Sequence, residues 1–214
     1  MNINRKYNRR SKSKSQPTLR QLECREKMAM AVHFLNPLRV LLDTAYNISS
    51  QSKRPQGYHG AVSHLISYAL RGDYPNLAID FSRVVLSKGR LMRAYAAQAS
   101  IDGDLLTVNW FYAEAPYAWS DDEAVVVLYN EEKDIFLVLR RKAERQNAGL
   151  RVSLPTEFVG CTVHAYLFFL SRTGKDSSLS VYLKPVLQDG AAVPAPDAVG
   201  VGIQRELTDC LTNQ

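Results

Sequence analysis

GDYPNLAIDFSRVVLSKG, residues 72–89, is where the chain changes its pattern. Apolar residues before it recur at helical spacing, and those after it alternate in the manner of strands. Gly72 followed by Pro75 is a helix-stop signal, and Ile79 to Leu86 is expected to open the second region as its first strand. Asp73, Tyr74 and Asp80 give the stretch a polar, faintly catalytic look. Geometry accounts for it more simply: Gly72 suits the left-handed conformation that ends a helix, Pro75 prevents continuation, and Asp73 can turn the chain by bonding its own backbone. The stretch reads as a structural junction.

On its N-terminal side, Thr18 with Gln21 three residues on forms a capping box, preceded by Pro17. Leu19, Leu22, Met30, Phe34, Leu35, Leu38, Leu41, Leu42 and Ala45 then make one broad apolar helical face. Pro37 lacks an amide donor, so the pattern is expected to break or kink near Phe34 to Asn36 and resume with Pro37 in a first turn. Asn47 to Gly57 is a polar loop, and a further helix places Tyr58, Ala61, Val62, Leu65, Ile66, Ala69 and Leu70 on one face. The two apolar faces are expected to pack together. His59 and His64 lie five apart, on different sides of that helix, which is not a metal-binding spacing.

On the C-terminal side, candidate strands are Ile79 to Leu86, Leu91 to Ala99, Leu105 to Tyr112, Ala124 to Tyr129, Ile135 to Arg140, Leu150 to Leu154, Thr162 to Ser171 and Ser178 to Leu183. Asp102-Gly103-Asp104, Asn130 to Lys133 and Arg172 to Lys175 read as turns between them. Val125, Val127 and Tyr129 alternate with Val126 and Leu128, so that strand is apolar on both faces and is expected at the centre of a sheet. The fold class expected is α+β, an N-terminal helical region followed by an antiparallel immunoglobulin-like β-sandwich. The divisions are a basic arm over 1–17, helices over 18–72, the sandwich over 73–184, and a low-complexity tail over 185–214 in which Ile203 to Leu211 suits a short helix.

The chain has 214 residues, 46% of them hydrophobic, enough for a sizeable core. Its charge is uneven: residues 1–20 hold seven Lys or Arg and no acid. The net charge of +6, less those seven, leaves −1 for the remaining 194 residues. Arg5, Lys6, Arg9, Arg10, Lys12 and Lys14 are therefore the candidate contacts for a polyanion, nucleic acid included. The competing reading is a solvated tail. Cys24, Cys161 and Cys210 lack the short spacing of a zinc or redox pair and are expected to be reduced, buried thiols. There is no signal-like apolar run behind the basic start and no apolar run of about 18 residues, so neither a signal peptide nor a membrane span is read, and a cytoplasmic location is expected.

No phosphate-cradling Gly loop, nucleophile elbow or helical metal-ligand pair is present, and the protein is expected not to be an enzyme and to carry no cofactor or metal. Asp121-Asp122-Glu123 lacks the ligand alternation of a calcium loop. His164, in VHAYLFFL, is expected to be satisfied at a sheet face. Trp110, Phe111, Tyr112, Tyr117 and Trp119 crowd one strand and loop; any that are exposed would make a carbohydrate or protein contact surface, and core packing is expected to account for at least half of them. The functional expectation is binding or assembly with a protein partner or a second copy, with nucleic-acid binding through the arm as the alternative.

LPTEFVGCTVHAYLFFLSRTGKDSSLSVYL, Leu154 to Leu183, resembles the last hairpin of fibronectin type III and immunoglobulin-like modules, with Phe158 where a corner tyrosine would stand. PTLRQLECREKMAMAVHFLNPLRVLL, GYHGAVSHLISYALRGDYPNLAIDFSRVVLSKGRL and TVHAYLFFLSRTGKDSSLSVYL together resemble a family of uncharacterised proteins from Bacteroidota, over roughly residues 17 to 184. That resemblance implies no activity, cofactor or catalytic residue. It does imply a Gly-rich opening segment, where this chain has its basic arm.

Overall fold

The computed structural model of the protein describes residues 16–46 and 57–188. The first helix, α1 (Leu19–Leu35), starts at Thr18, whose side chain accepts from the Gln21 amide while the Gln21 side chain returns to the Thr18 amide. A 3-10 turn, Asn36–Leu38, follows with Pro37 in its opening position, and the chain continues as α2 (Arg39–Ala45). The interruption expected from Pro37 thus separates two helices. α3 (Gly57–His64) runs on into a π-helical turn, Leu65–Ala69.

Ten strands come next. β1 (Leu70–Arg71) and β2 (Ala78–Ile79) form a small hairpin. β3 (Tyr95–Asp102), β4 (Leu105–Phe111), β5 (Glu123–Asn130), β6 (Ile135–Leu139), β7 (Gly149–Ser153), β8 (Val163–Leu170), β9 (Val181–Leu183) and β10 (Val186–Gln188) build two four-stranded sheets. One is ordered β10-β3-β4-β7 and the other β6-β5-β8-β9. Every pairing is antiparallel except β10 with β3.

Side chains alternate across a strand, so a strand buried on both faces needs apolar residues at every position. β5 and β8 meet that requirement. Val125, Val127, Tyr129, Tyr166, Phe168 and Leu170 face the helices, joining Phe34, Leu42, Tyr58 and Leu65 in one core. Ala124, Val126, Leu128, Ala165, Leu167 and Phe169 face the other sheet, joining Ile101, Leu106, Val108 and Leu150 in a second. The molecule is therefore three layers deep, helices on sheet on sheet, with β5 central as expected. The helices touch one another, yet their shared apolar face rests on the sheet. Helical period alone does not reveal which surface an apolar face covers.

The stretch 72–89 departs from expectation. Ile79 to Leu86 is not a strand: Asp80 accepts from the Ser82 amide and starts a 3-10 turn, Phe81–Arg83, which the Tyr166 hydroxyl holds by donating to the Phe81 carbonyl. Residues 84–91 make only two isolated bridges, Lys88 with Tyr46 and Leu91 with Ser178, with a bend at 89–90, and are otherwise bonded to side chains and loops instead of a ladder. The Leu86 amide donates to Ser180 Oγ, the Leu91 amide to the Ser177 carbonyl, and Ser87 Oγ lies within hydrogen-bond distance of both the Ala45 and Ser178 carbonyls. Ala45, at the end of α2, also accepts from Ser177 Oγ and the Lys88 amide. Gly72 has the expected positive φ, +81°, but it turns the β1–β2 hairpin, since the helix already ends at Ala69. The first long strand begins at Tyr95, later than the expected Leu91. In the stretch read as a low-complexity tail, Val186 to Gln188 pairs with β3. Ile203 to Leu211 lies outside the described residues.

Candidate functional site

β4 leads into YAEAPYAWSDD, residues 112–122, at the end of the sandwich where β3 begins and β5 starts. The Ala118 amide donates to the Ala115 carbonyl, closing a turn with Pro116 second and Tyr117 third. Tyr117 has φ +62°. A turn with proline second and a left-handed third residue ordinarily takes glycine or asparagine there, because a Cβ is crowded. Here the position carries an aromatic ring that is 59% exposed.

Its neighbours share that exposure. Trp119 is 59% exposed, Phe111 61%, Tyr95 67% and Met92 49%. Tyr95 and Phe111 are cross-strand partners in β3 and β4, their rings edge to face with centroids 6.1 Å apart and planes at 78°. The Met92 amide donates to the Tyr117 carbonyl at 2.8 Å, which sets those two residues side by side. Of the five aromatics singled out in the sequence, Trp110 is buried, Tyr112 is half-buried, and Phe111, Tyr117 and Trp119 are exposed. Sequence reasoning missed Tyr95 and Met92. Strict alternation would set Tyr95 on the same face as the buried Ala99, four residues on, but a bulge between Tyr95 and Gln98, with Ala96 at φ +48°, breaks the register, and sequence gives no signal for it.

The exposed rings stand on a rigid base. Arg145 and Asp122 are both buried, and Arg145 Nε donates to Asp122 Oδ2 at 3.0 Å. A second guanidinium nitrogen donates to the Met92 carbonyl at 2.9 Å, and the guanidinium lies over the Phe169 ring, 3.7 Å from its centroid. Asp122 Oδ2 also accepts from the Trp119 amide, and Trp110 Nε1 donates to the Arg145 carbonyl. Met92, Trp119 and the strand end at Trp110 are thereby tied to one ion pair. Burial pushes the Asp122 carboxyl up and the Arg145 guanidinium down, and their mutual attraction opposes both shifts. Asp122 Oδ1 is buried with no hydrogen-bond partner. A single arginine within RRKAERQN gives no sequence signal that it will be buried.

Elsewhere, titratable groups are bound into the framework. His164 Nδ1 meets the Tyr182 hydroxyl at 2.9 Å, Nε2 meets Glu131 at 3.1 Å, and the ring stacks on Phe81 with centroids 4.2 Å apart. It is satisfied at a sheet face, as expected. His33 reaches Asp134, which also accepts from the Tyr129 hydroxyl. His64 Nδ1 is buried without a partner, and burial lowers its pKa, with Lys88 adding to the effect. Asp121, Asp122 and Glu123 diverge to three arginines, Arg172, Arg145 and Arg140, and do not converge on a common point. Among the described residues no group of three or more His, Cys, Asp or Glu is placed to hold a metal. The cysteines correct the sequence reading: Cys24 is exposed on α1 and Cys161 is only half-buried, both free thiols. Cys24 falls outside the packed stripe of its helix, and Cys161 lies in the loop before β8. Cys210 and the candidate polyanion contacts Arg5, Lys6, Arg9, Arg10, Lys12 and Lys14 lie outside the described residues. Among the described residues no helix is long and apolar enough to cross a membrane.

Over residues 3–184 the chain matches a family described as a family of unknown function, DUF6266. The chain belongs to that family. The DUF6266 match begins at residue 3, so all the basic residues of the arm lie within the matched span, whereas the resemblance read from sequence began near residue 17. The tail beyond residue 184 is outside the match. No curated protein matches the chain.

Proposed function

We propose that the protein is a non-enzymatic binding or assembly module that works through the aromatic end of its two-sheet unit. The observation that carries this reading is Tyr117. An exposed aromatic side chain at positive φ contributes strain and leaves most of its surface in solvent, while glycine would serve the turn without strain. Stability does not explain the residue, and contact with a partner does. The buried Asp122–Arg145 pair beneath fits that role, since it fixes Met92 and Trp119 in place before any partner arrives.

We read the two-sheet unit as immunoglobulin-like, close to fibronectin type III. Support comes from the strand order, β3-β4-β7 opposite β6-β5-β8-β9, with antiparallel neighbours throughout those seven strands. Modules of that architecture recognise partners with the loops clustered at one end, which is where residues 112–122 lie. The test compares material retained from source-cell extract by the native chain and by a Tyr117→Ser/Trp119→Ser variant of unchanged circular dichroism. The reading expects retention by the first and its loss in the second; equal retention contradicts it.

A second reading rests on charge. Seven basic residues and no acid within positions 1–20, against −1 for the rest, favour a polyanion partner such as nucleic acid for Arg5, Lys6, Arg9, Arg10, Lys12 and Lys14. A gel shift with duplex and single-stranded DNA at rising salt decides it. Affinity should fall steeply with salt and vanish when those six are changed to Gln; an unchanged shift contradicts this reading.

A further inference from the structure

We infer that the partner of the aromatic end is a second copy of this chain, the two faces packing together about a two-fold axis; this rests on the binding role proposed above. Three observations carry it. The first is area. Five large side chains, each about half exposed or more, present on the order of 500 Å² of apolar surface. That matches the largest apolar patch on a typical monomer, which is often functional, and supplies over half of the roughly 800 Å² that a stable interface takes from each partner.

The second is the shape of the surface. A saccharide stacks on flat, parallel rings, but the Tyr95 and Phe111 planes stand at 78° and the flexible side chain of Met92 sits beside Tyr117. An uneven surface of Trp, Tyr, Phe and Met is the kind that protein interfaces use. The third is charge. Arg90, Asp121, Asp122 and Glu123 near this end are already engaged, with Asp176, Arg172, Arg145 and Arg140. Arg93, directly after Met92, and Glu114, in the aromatic loop, are exposed and have no ion-pair partner among the described residues. An apolar patch flanked by Arg93 and Glu114, exposed and opposite in charge, is complementary to itself. A two-fold axis sets Arg93 of each copy against Glu114 of the other, satisfying both pairs at once. Outside residues 1–20 the chain carries only −1, so two copies meet without strong repulsion.

Sedimentation velocity of the full chain, over about 1 to 100 µM, should show a monomer–dimer equilibrium. Tyr117→Ser/Trp119→Ser should raise the dissociation constant by about tenfold or more. Arg93→Glu alone and Glu114→Arg alone should each weaken association, and the two together should restore it, because the reversed charges again face each other. Both sites are exposed, so these variants remain informative even where the aromatic variant fails to fold. A chain that stays monomeric throughout, a dimer indifferent to all four changes, or a double reversal weaker than either single one overturns the inference. The binding reading fails separately, when the aromatic variant retains the same cellular material as the native chain.

Discussion

Two segments, 72–91 and 112–122, link one part of the fold to the next, and both need a residue in the left-handed region. The first uses Gly72, at φ +81°; the second uses Tyr117, at φ +62°. Around Gly72 the chain is written for the fold. Val84 and Leu86 are buried, Ser87, Ser177 and Ser178 are buried with their hydroxyls bonded, and a Cβ on Gly89 would come within 2.2 Å of the Ser177 carbonyl. Around Tyr117 the choices run the other way, with strained backbone and rings left in solvent. The same backbone requirement, met once by the residue that suits it and once by one that does not, separates a structural joint from a surface kept for contact.

The largest effects should come from the helical side. Phe34 packs against Tyr129, Phe136 and Phe81, with ring centroids 4.9, 5.1 and 5.8 Å away. Phe34→Ala should cost about 3 to 5 kcal/mol and Leu65→Ala about 2 to 5 kcal/mol in urea unfolding. A change under about 0.5 kcal/mol at both would mean the helices do not share the sheet's core and would dissolve the contrast. Next is the joint itself. A side chain at Gly72 would meet the Asn76 carbonyl at 2.3 Å in a region closed to β-branched residues, so Gly72→Val should cost about 2 kcal/mol or more, read as a lowered urea midpoint. No loss at Gly72 would remove the glycine half of the comparison.

Much of this side was legible in the sequence. Thr18 with Gln21 and the Pro37 break were plain because they depend on local backbone chemistry alone. The doubly apolar runs in β5 and β8 announced strands covered on both faces. Ile79 to Leu86 misled because apolar and β-branched residues describe any extended buried segment, and only its bonds to Ser180 and Ala45, set by distant parts of the chain, show that no ladder forms there. The aromatic loop was noticed, but which rings were core could not be read from composition. Trp110 is turned inward by the register of β4 and a bond to the Arg145 carbonyl, and Arg145 is buried only because Asp122 is brought to it.

Alkaline pH acts on the helical side selectively. Burial pushes the Tyr46 phenol from its ordinary 10.0 up to about 12, and it raises Tyr129, Tyr166 and Tyr182 in the same direction. The folded chain holds these protons more tightly than the unfolded one, so their contribution to stability is complete below pH 10 and falls as pH rises above it. All four belong to the core between helices and sheet or pack against it. Phenolate absorbance and circular dichroism followed together should show these tyrosines ionising as the fold is lost; ionisation of all four in an intact fold would contradict their burial.

The smallest effect on stability is expected at Tyr117, and urea unfolding of Tyr117→Gly tests the central claim most directly. Relief of the left-handed strain and the greater freedom of glycine in the unfolded chain are each worth about 0.5 to 1 kcal/mol and act in opposite directions. The variant should therefore be within about 0.5 kcal/mol of the native chain, or more stable. A loss above about 1.5 kcal/mol would show that the ring supports the fold, and Tyr117 would then be a structural residue like those around Gly72.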